Sequence, residues 1–502
     1  MLFALFAAMT VSVLAQVPVH HDIAWPLWVA ERVLGGAELY VDIVEVHPPL
    51  IIGVAIIAVL LGRLPVLDPI SSYHLVTFTT VACSLVLCWK LLAPMATRTQ
   101  RHGLMLVIAF LLFPFVGYSF GQEEHLMLAL ALPYLLMMGG LADGVPLSRG
   151  NRLMIGLLGG VGFSMKPFFG PLWLALVLYI VLRRGTRQVL APEVWAPALV
   201  ISGYILFTAL VTPGYFDVVA MAASVYPHFF PVPPSAIVMS AGTGALAVAL
   251  LLDRSLPASA AGRGVRHAML IALVCFYLAV ILQGKGWSYH WYPVYAAAAL
   301  LTVLALVIGG LGANTMRSLG ETGSRTLRVL ATTLLLALSW WRVSWTREHW
   351  GDLSGNPFHL PQLKSVVERY AEGGPIAALS IGMPVAFPLV NYAGVEWSPR
   401  FACLWMLPGI YADVRPRAGA FDYTPTSAMS MLDRYVVESL TADLVRDRPA
   451  LIIVDKAPPM PRLQGFDYLD YLGRHPAFRR LMSEYGHIGN VGRYDIYRRI
   501  GL

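Results

Sequence analysis

Apolar residues run in long blocks along most of this 502-residue chain, and the blocks stop near residue 345. They fall at about 1–17, 48–62, 72–93, 103–119, 125–141, 152–165, 168–182, 194–212, 235–252, 267–283, 290–311 and 327–345. A helix crossing the hydrocarbon core needs about 20 predominantly apolar residues. Several blocks reach that length, while 48–62, 152–165 and 168–182 fall short. The pattern predicts a polytopic α-helical membrane domain over 1–345, with about 11–13 transmembrane helices. It excludes an outer-membrane barrel, whose strands alternate apolar and polar positions. Beyond 345 the blocks shorten. Runs at 375–381 and 450–454 read as buried strands, 361–372 and 426–446 as amphipathic helices, and 466–484 as a further helix. The terminal YGHIGNVGRYDIYRR reads as two strands paired around Gly489-Asn490. Residues 346–502 are therefore predicted to form a soluble α/β domain, long enough to bury a core of its own.

Charge follows the same division. Only 13% of residues are charged, about half of the roughly 25% of a soluble domain. Residues 1–345 carry 13 acidic and 19 basic side chains, while 346–502 carry 16 and 17 in less than half the length. This rules out a soluble enzyme and a disordered chain. The net charge of +7 comes from basic residues in short loops between apolar blocks, so it is an orientation signal and does not point to nucleic acid. Cys83, Cys88, Cys275 and Cys403 show neither metal-ligand spacing nor a disulfide framework. The apolar N-terminus lacks a preceding Lys or Arg and a small-x-small cleavage site, which predicts a retained first helix.

Thirteen of the 19 basic residues sit in five clusters: Arg98 and Arg101; Arg149 and Arg152; Arg183, Arg184 and Arg187; Arg254, Arg263 and Arg266; Arg317, Arg325 and Arg328. The positive-inside rule places these loops in the cytoplasm. The loops at 121–125, 166–167, 213–234 and 285–290 are then expected outside the inner (plasma) membrane, and the tail from 346 with them. Counting back from Arg98 leaves a conflict: if 18–47 is also outside, 48–62 is not a full crossing. Either that block is tilted, re-entrant or surface-lying, or the charge rule fails at one early loop.

Acidic residues are costly in a membrane domain, so their positions carry information. Five of the 13 lie in the first loop, 18–47: Asp22, Glu31, Glu38, Asp42 and Glu45. Its middle has apolar residues at helical spacing with Trp25 and Trp28, as expected of a helix lying in the membrane interface. Glu31 and Glu38 read as solvated charges. Asp22 follows His20 and His21 directly after the first helix and is the candidate functional acid. A second group, Gln122, Glu123, Glu124 and His125, opens an apolar helix. One carboxylate there would complement the helix dipole, but two and a histidine are more than that needs. Carboxylates from the two loops could share general-base work or hold a divalent cation, Mg2+ or Mn2+, through Asp22, Glu124 and His125. Lys166 (SMKPFFG) and Lys285 (GKGWSYHWYP) stand in breaks between apolar blocks, with Gly or Pro beside them. Each is either a lysine snorkelling to headgroups or a point charge for a lipid-linked phosphate, with Trp287, Tyr289 and His290 assisting. Arg342 is open to both readings.

The order of these features resembles the GT-C superfamily of polyprenyl-phosphate-sugar glycosyltransferases, nearest the protein O-mannosyltransferase and aminoarabinose-transferase branch. The features are a short first helix, an Asp-bearing loop closing in EVHPPL, an acidic helix start, a Lys-Pro break, KGWSYHWYP and a soluble C-terminal domain. EVHPPL, with Glu45, His47, Pro48 and Pro49, is the most specific of them. Relatives carry a further acid where this chain has Ile23, and a basic residue before PPL where it has His47. The resemblance implies an inverting transfer of a sugar from a polyprenyl-phosphate carrier to a glycan, lipid or protein acceptor on the extracytoplasmic face. Asp22, Glu123 and Glu124 would be catalytic. Glu45, His47, Lys166, Lys285, Tyr289 and His290 would bind substrate. The alternatives are a polysaccharide polymerase or ligase, and a non-enzymatic transporter of lipid-linked sugars.

Overall fold

The computed structural model describes residues 2–255, 262–307, 320–351, 359–414, 421–458 and 460–501. The helices begin α1 (Leu2–Leu14), α2 (His21–Leu34), α3 (Pro49–Leu61), α4 (Pro69–Leu92) and α5 (Arg98–Leu112). They continue as α6 (Glu123–Ala142), α7 (Arg149–Phe163), α8 (Gly170–Arg184), α9 (Pro192–Val211) and α10 (Gly214–Val225). Then come α11 (Pro234–Val238), α12 (Ala241–Ser255), α13 (Arg263–Gln283) and α14 (Ser288–Val307), followed by a helix at Gly320–Thr346. The chain is a polytopic helical membrane protein with a soluble α/β portion. Among the described residues six helical spans are long and apolar enough to cross a membrane: Pro69–Leu92, Glu123–Ala142, Pro167–Arg184, Pro192–Val211, Arg263–Gln283 and Ser288–Leu306. The block at 168–182 reaches spanning length because a short 3-10 turn, Pro167–Phe169, leads into α8. By contrast α3 has 13 residues, about 20 Å at 1.5 Å per residue against a hydrocarbon core of about 30 Å. It is too short for a full crossing, which favours the first of the two readings of 48–62. Of the basic clusters, Arg317 lies outside the described residues, as do the side chains of Arg325 and Arg328.

Two compact units divide the chain. The first comprises Met1–Val17, Leu60–Leu210 and Val232–Glu348. Its centre is α6, buried at 18 of its 20 positions. Small residues let neighbouring helices approach it closely, the usual solution where lipid removes the hydrophobic driving force between helices. A Cβ on Gly139 of α6 would lie 2.4 Å from Val265 Cα of α13, and one on Gly159 of α7 would lie 2.9 Å from the Tyr134 ring. Helix starts are set by local chemistry. The Asp68 carboxylate accepts from the backbone N–H groups of Ile70 and Ser71 at the head of α4, and Thr97 with Gln100 forms a capping box on α5.

The second unit comprises Pro18–Val59, Val211–Pro231 and His349–Leu502. Where the sequence suggests a single cut near 346, the soluble fold also takes in the first loop and 211–231. Its sheet has the order β1-β2-β4-β3, with β1 (Ile376–Leu379) parallel to β2 (Leu451–Asp455). The hairpin of β3 (Tyr485–Val491) and β4 (Tyr494–Arg499) is antiparallel and pairs with β2 through β4. The turn falls at Gly492-Arg493, not at Gly489-Asn490, and a bulge lies between His487 and Gly489. Helices at Leu360–Tyr370 and Met431–Asp447 match expectation. The helix expected over 466–484 is instead two, Tyr468–Gly473 and Pro476–Met482. Pro476 disfavours helical backbone at His475, which is extended and caps the second helix. Every residue of β2 is buried, and Tyr40, Val44, Val218 and Val225 join the same core. The first loop is tied in by Val44 N–H donating to Arg400 O, and by Val19 N–H donating to Tyr392 Oη.

Candidate functional site

In the helical unit, three separated segments bring five of the expected residues together. Glu123 and Glu124 form the first turn of α6, and both are buried. Lys166 has extended backbone because Pro167 follows it. Its Nζ lies 2.8 Å from Glu123 Oε2 and 2.6 Å from Glu124 Oε1. Burial alone would lower the Lys166 ammonium, but the two carboxylates outweigh it and hold it above its ordinary value. The Tyr289 ring lies 5.3 Å from that ammonium, and His290 Nε2 lies 3.9 Å from Glu124 Oε1. The structure thus gives Lys166 other partners than the expected phosphate: its charge is matched by two buried acids. Glu124 Oε2 is a buried acceptor that meets no donor among the described residues. A substrate hydroxyl reaching it would relieve a desolvation cost already incurred.

Lys285 is placed differently. It stands between Gly284 and Gly286, both left-handed at φ 61°, in the turn from α13 to α14. Only glycine takes that conformation cheaply, so the pair fixes a tight turn around the lysine. Val232 N–H donates to Gly284 O, holding the turn from the other side. Lys285 is 3% exposed, and burial pushes its ammonium down to about 8. Trp287, Tyr289 and His290 follow as a packed aromatic group, with ring centroids 4.6–5.6 Å apart.

The soluble unit holds the first-loop residues. Trp25 and Trp28 were expected to anchor α2 in the membrane interface; they are buried instead, stacked 5.0 Å apart and covered by Phe387. The domain core supplies the partner that lipid headgroups were expected to supply. Glu45 is buried beneath this group. It accepts from Trp25 Nε1, and its Oε1 accepts from His47 N–H and His47 Nδ1, both at 2.7 Å. These contacts make Glu45 the organiser of the loop and fix the His47 ring. Asp22 lies at the start of α2, its side chain 18% exposed, with His20 and His21 beside it. Burial lowers both histidines, His20 to about 3, with the His21 charge adding to the effect and Asp22 opposing it. Cys403 also lies close to Asp22 and Glu45, which nothing local in its surroundings in the chain indicates. Burial raises its thiol, and the nearby Asp22 and Glu45 carboxylates raise it further. Nearly four hundred residues separate Cys403 from Asp22, so no spacing could have revealed it.

The Mg2+ or Mn2+ set of Asp22, Glu124 and His125 does not fit. His125 Nδ1 accepts from Gly121 N–H and Nε2 donates to Leu112 O, each at 3.0 Å, so both ring nitrogens hold backbone. Glu124 is engaged by Lys166.

No protein-family model matches the chain, and no curated protein matches it in sequence. Among solved structures, its fold is similar to the crystal structure of ArnT from Cupriavidus metallidurans bound to undecaprenyl phosphate. That match has a TM-score of 0.60 at 11% identity and covers 100% of this chain and 97% of that one. Archaeal oligosaccharyltransferase AglB from Archaeoglobus fulgidus, in complex with an inhibitory peptide and a dolichol-phosphate, matches with a TM-score of 0.47 at 10% identity. That alignment covers all of this chain and 74% of AglB. The fold of this chain is therefore similar, over its whole length, to that of the ArnT structure.

Proposed function

We propose that the protein is a membrane glycosyltransferase that takes a sugar from a polyprenyl-phosphate carrier, and that it works on the extracytoplasmic face of the inner membrane. The observation that carries this reading is Lys285, a buried cation in a turn built by two left-handed glycines. It belongs to a chain that follows, end to end, the fold of a protein solved with undecaprenyl phosphate. A compact ammonium in a dry site suits a phosphate, where negative charge grows as the sugar leaves. Asp22 would take the proton of an acceptor hydroxyl, whose oxygen forms the new bond to the anomeric carbon with inversion. The carbon–oxygen bond to the carrier breaks, and its electron pair leaves on the lipid phosphate. Glu124 Oε2 would accept from a donor hydroxyl, with Lys166 holding the acid pair in place and His290 beside it. Glu45 would orient the first loop through Trp25 and His47. Acceptors with a free hydroxyl on a glycan, lipid or protein all fit this chemistry.

The test is donor consumption by the purified protein in proteoliposomes, using a panel of polyprenyl-phosphate-linked sugars. Wild type should release free polyprenyl phosphate from at least one donor, and Asp22→Asn should lose that release at an unchanged melting temperature. Asp22 is partly exposed in the first turn of α2, so the substitution should cost little stability. Wild-type turnover by Asp22→Asn would remove it from the reaction. Passage of intact donor across the vesicle, without release, would favour a transporter.

A further inference from the structure

We infer that His20, His21 and Asp22 form a binding site for one divalent transition-metal ion of the Zn2+ or Co2+ type. Each residue offers one ligand atom, and the three atoms lie within 4.8 Å of one another. Asp22 Oδ2 is 3.7 Å from His20 Nδ1, and Asp22 Oδ1 is 3.6 Å from His21 Nε2. Around a tetrahedral ion with bonds of about 2.0–2.2 Å, neighbouring ligand atoms stand roughly 3.3–3.5 Å apart. Each imidazole faces a different carboxylate oxygen, so gathering all three residues on one ion takes a turn of the Asp22 side chain and closure of ligand atoms that now lie within 4.8 Å of one another. Two imidazole nitrogens and one carboxylate suit Zn2+ or Co2+, whereas Mg2+ and Ca2+ take oxygen ligands. The donor set thus differs in kind from the Mg2+ or Mn2+ set that did not fit.

The ligands come from three consecutive residues at the point where extended backbone turns into α2: His20 has φ −63° and ψ 140°. The two rings stack with centroids 4.1 Å apart. The segment is held firmly on both sides, as a preformed metal site requires. Val19 N–H donates to Tyr392 Oη before it, while Ala24 O accepts from Asn391 Nδ2 and Trp25 Nε1 donates to Glu45 after it. Two terms oppose binding. His20 Nδ1 accepts from Asp22 N–H at 3.1 Å, and an ion would compete for that lone pair. A helix N-terminus also disfavours a cation, which the Asp22 charge offsets. Three protein ligands leave a fourth position for water or a hydroxyl oxygen, as in catalytic zinc sites. Placing an acceptor hydroxyl there rests on the acceptor-side role proposed for Asp22; metal binding itself does not.

The experiment titrates full-length protein, purified without a polyhistidine tag and stripped with chelator, with Zn2+ by calorimetry and with Co2+ by visible absorbance. One equivalent should bind, and Co2+ should give the visible bands of a low-coordinate nitrogen–oxygen site. His20→Ala, His21→Ala and Asp22→Asn should each weaken binding by roughly 100-fold or more, since even outer-shell losses cost 10–100-fold. His487→Ala, a half-exposed histidine elsewhere in the same unit, should change nothing. Metal-free melting temperatures show whether each variant is folded, and His21→Gln replaces His21→Ala if that variant is not. Failure to bind one equivalent, or binding that survives both His20→Ala and His21→Ala, overturns the site. If the ion fails to bind while Asp22→Asn still abolishes transfer, the metal site falls and the glycosyltransferase reading stands. If the ion binds as expected and Asp22→Asn retains transfer, the metal site stands and the catalytic role of Asp22 falls.

Discussion

Replacing Lys285 with alanine should weaken the binding of a polyprenyl phosphate by about 10- to 150-fold. A hydrogen bond to a charged group contributes about 1.5–3 kcal/mol, which converts to that range at 1.4 kcal/mol per decade. The upper part of the range is expected, because Lys285 is 3% exposed and its desolvation is already met in folding. Burial also supplies a second signature. With its ammonium pushed down to about 8, Lys285 is about nine-tenths charged at pH 7 and about one-tenth at pH 9. A phosphate monoester loses its second proton near pH 6, so the ligand's charge changes little over that interval. Wild-type affinity should therefore fall as pH rises from 7 to 9, following loss of the lysine charge. Lys285→Arg keeps its charge throughout, so it should recover part of the affinity and lose the pH dependence. Lys285→Ala should bind weakly at both pH values. The assay is a titration of labelled polyprenyl phosphate against detergent-solubilised protein at pH 7, 8 and 9. Wild-type affinity in Lys285→Ala, with no fall in wild type between pH 7 and 9, would remove Lys285 from phosphate binding and leave it as a headgroup anchor.

Lys166→Met leaves Glu123 and Glu124 buried without their counter-charge, and should lower stability by about 3–5 kcal/mol; a large fall in melting temperature, partly restored in Lys166→Arg, is the readout. Glu45→Gln removes the carboxylate that accepts from Trp25 and from His47, and should cost about 1–3 kcal/mol in chemical denaturation. Met431, 90% exposed in the soluble unit, supports a topology test. With the native cysteines replaced, Met431→Cys should react with a membrane-impermeant maleimide in intact cells, and labelling only after lysis would reverse the orientation.

What the sequence revealed depended on how far each feature reaches along the chain. Most apolar blocks, the ALIIV strand and the Lys-Pro break are local, and the structure has them where expected, although the block at 235–252 is divided between α11 and α12. Pro476 was equally local and should have split the last helix prediction. The hairpin turn falls at Gly492-Arg493, three residues beyond Gly489-Asn490, because Gly489 marks a bulge in β3 and not the turn. Trp25 and Trp28 depart from expectation for another reason. A tryptophan pair beside apolar residues fits a membrane interface and a protein core equally well, and the choice was made by Phe387, more than 350 residues away. In the sequence Lys166 stands out as a lone cation, but its partners Glu123 and Glu124 lie some forty residues earlier, on α6. The acids, the lysines and the histidine could be picked out singly. Their pairings are properties of the fold.

In the proposed reaction the bond broken joins the anomeric carbon to the carrier's phosphate oxygen. The most direct measurement uses a donor whose bridging sugar–phosphate oxygen is labelled with oxygen-18, turned over by the purified protein in proteoliposomes with acceptor present. Mass spectrometry of the released lipid should find the label retained in polyprenyl phosphate, and one sugar gained by the acceptor for each lipid released. Label recovered in the sugar would mean attack at phosphorus, and would rule out transfer at the anomeric carbon.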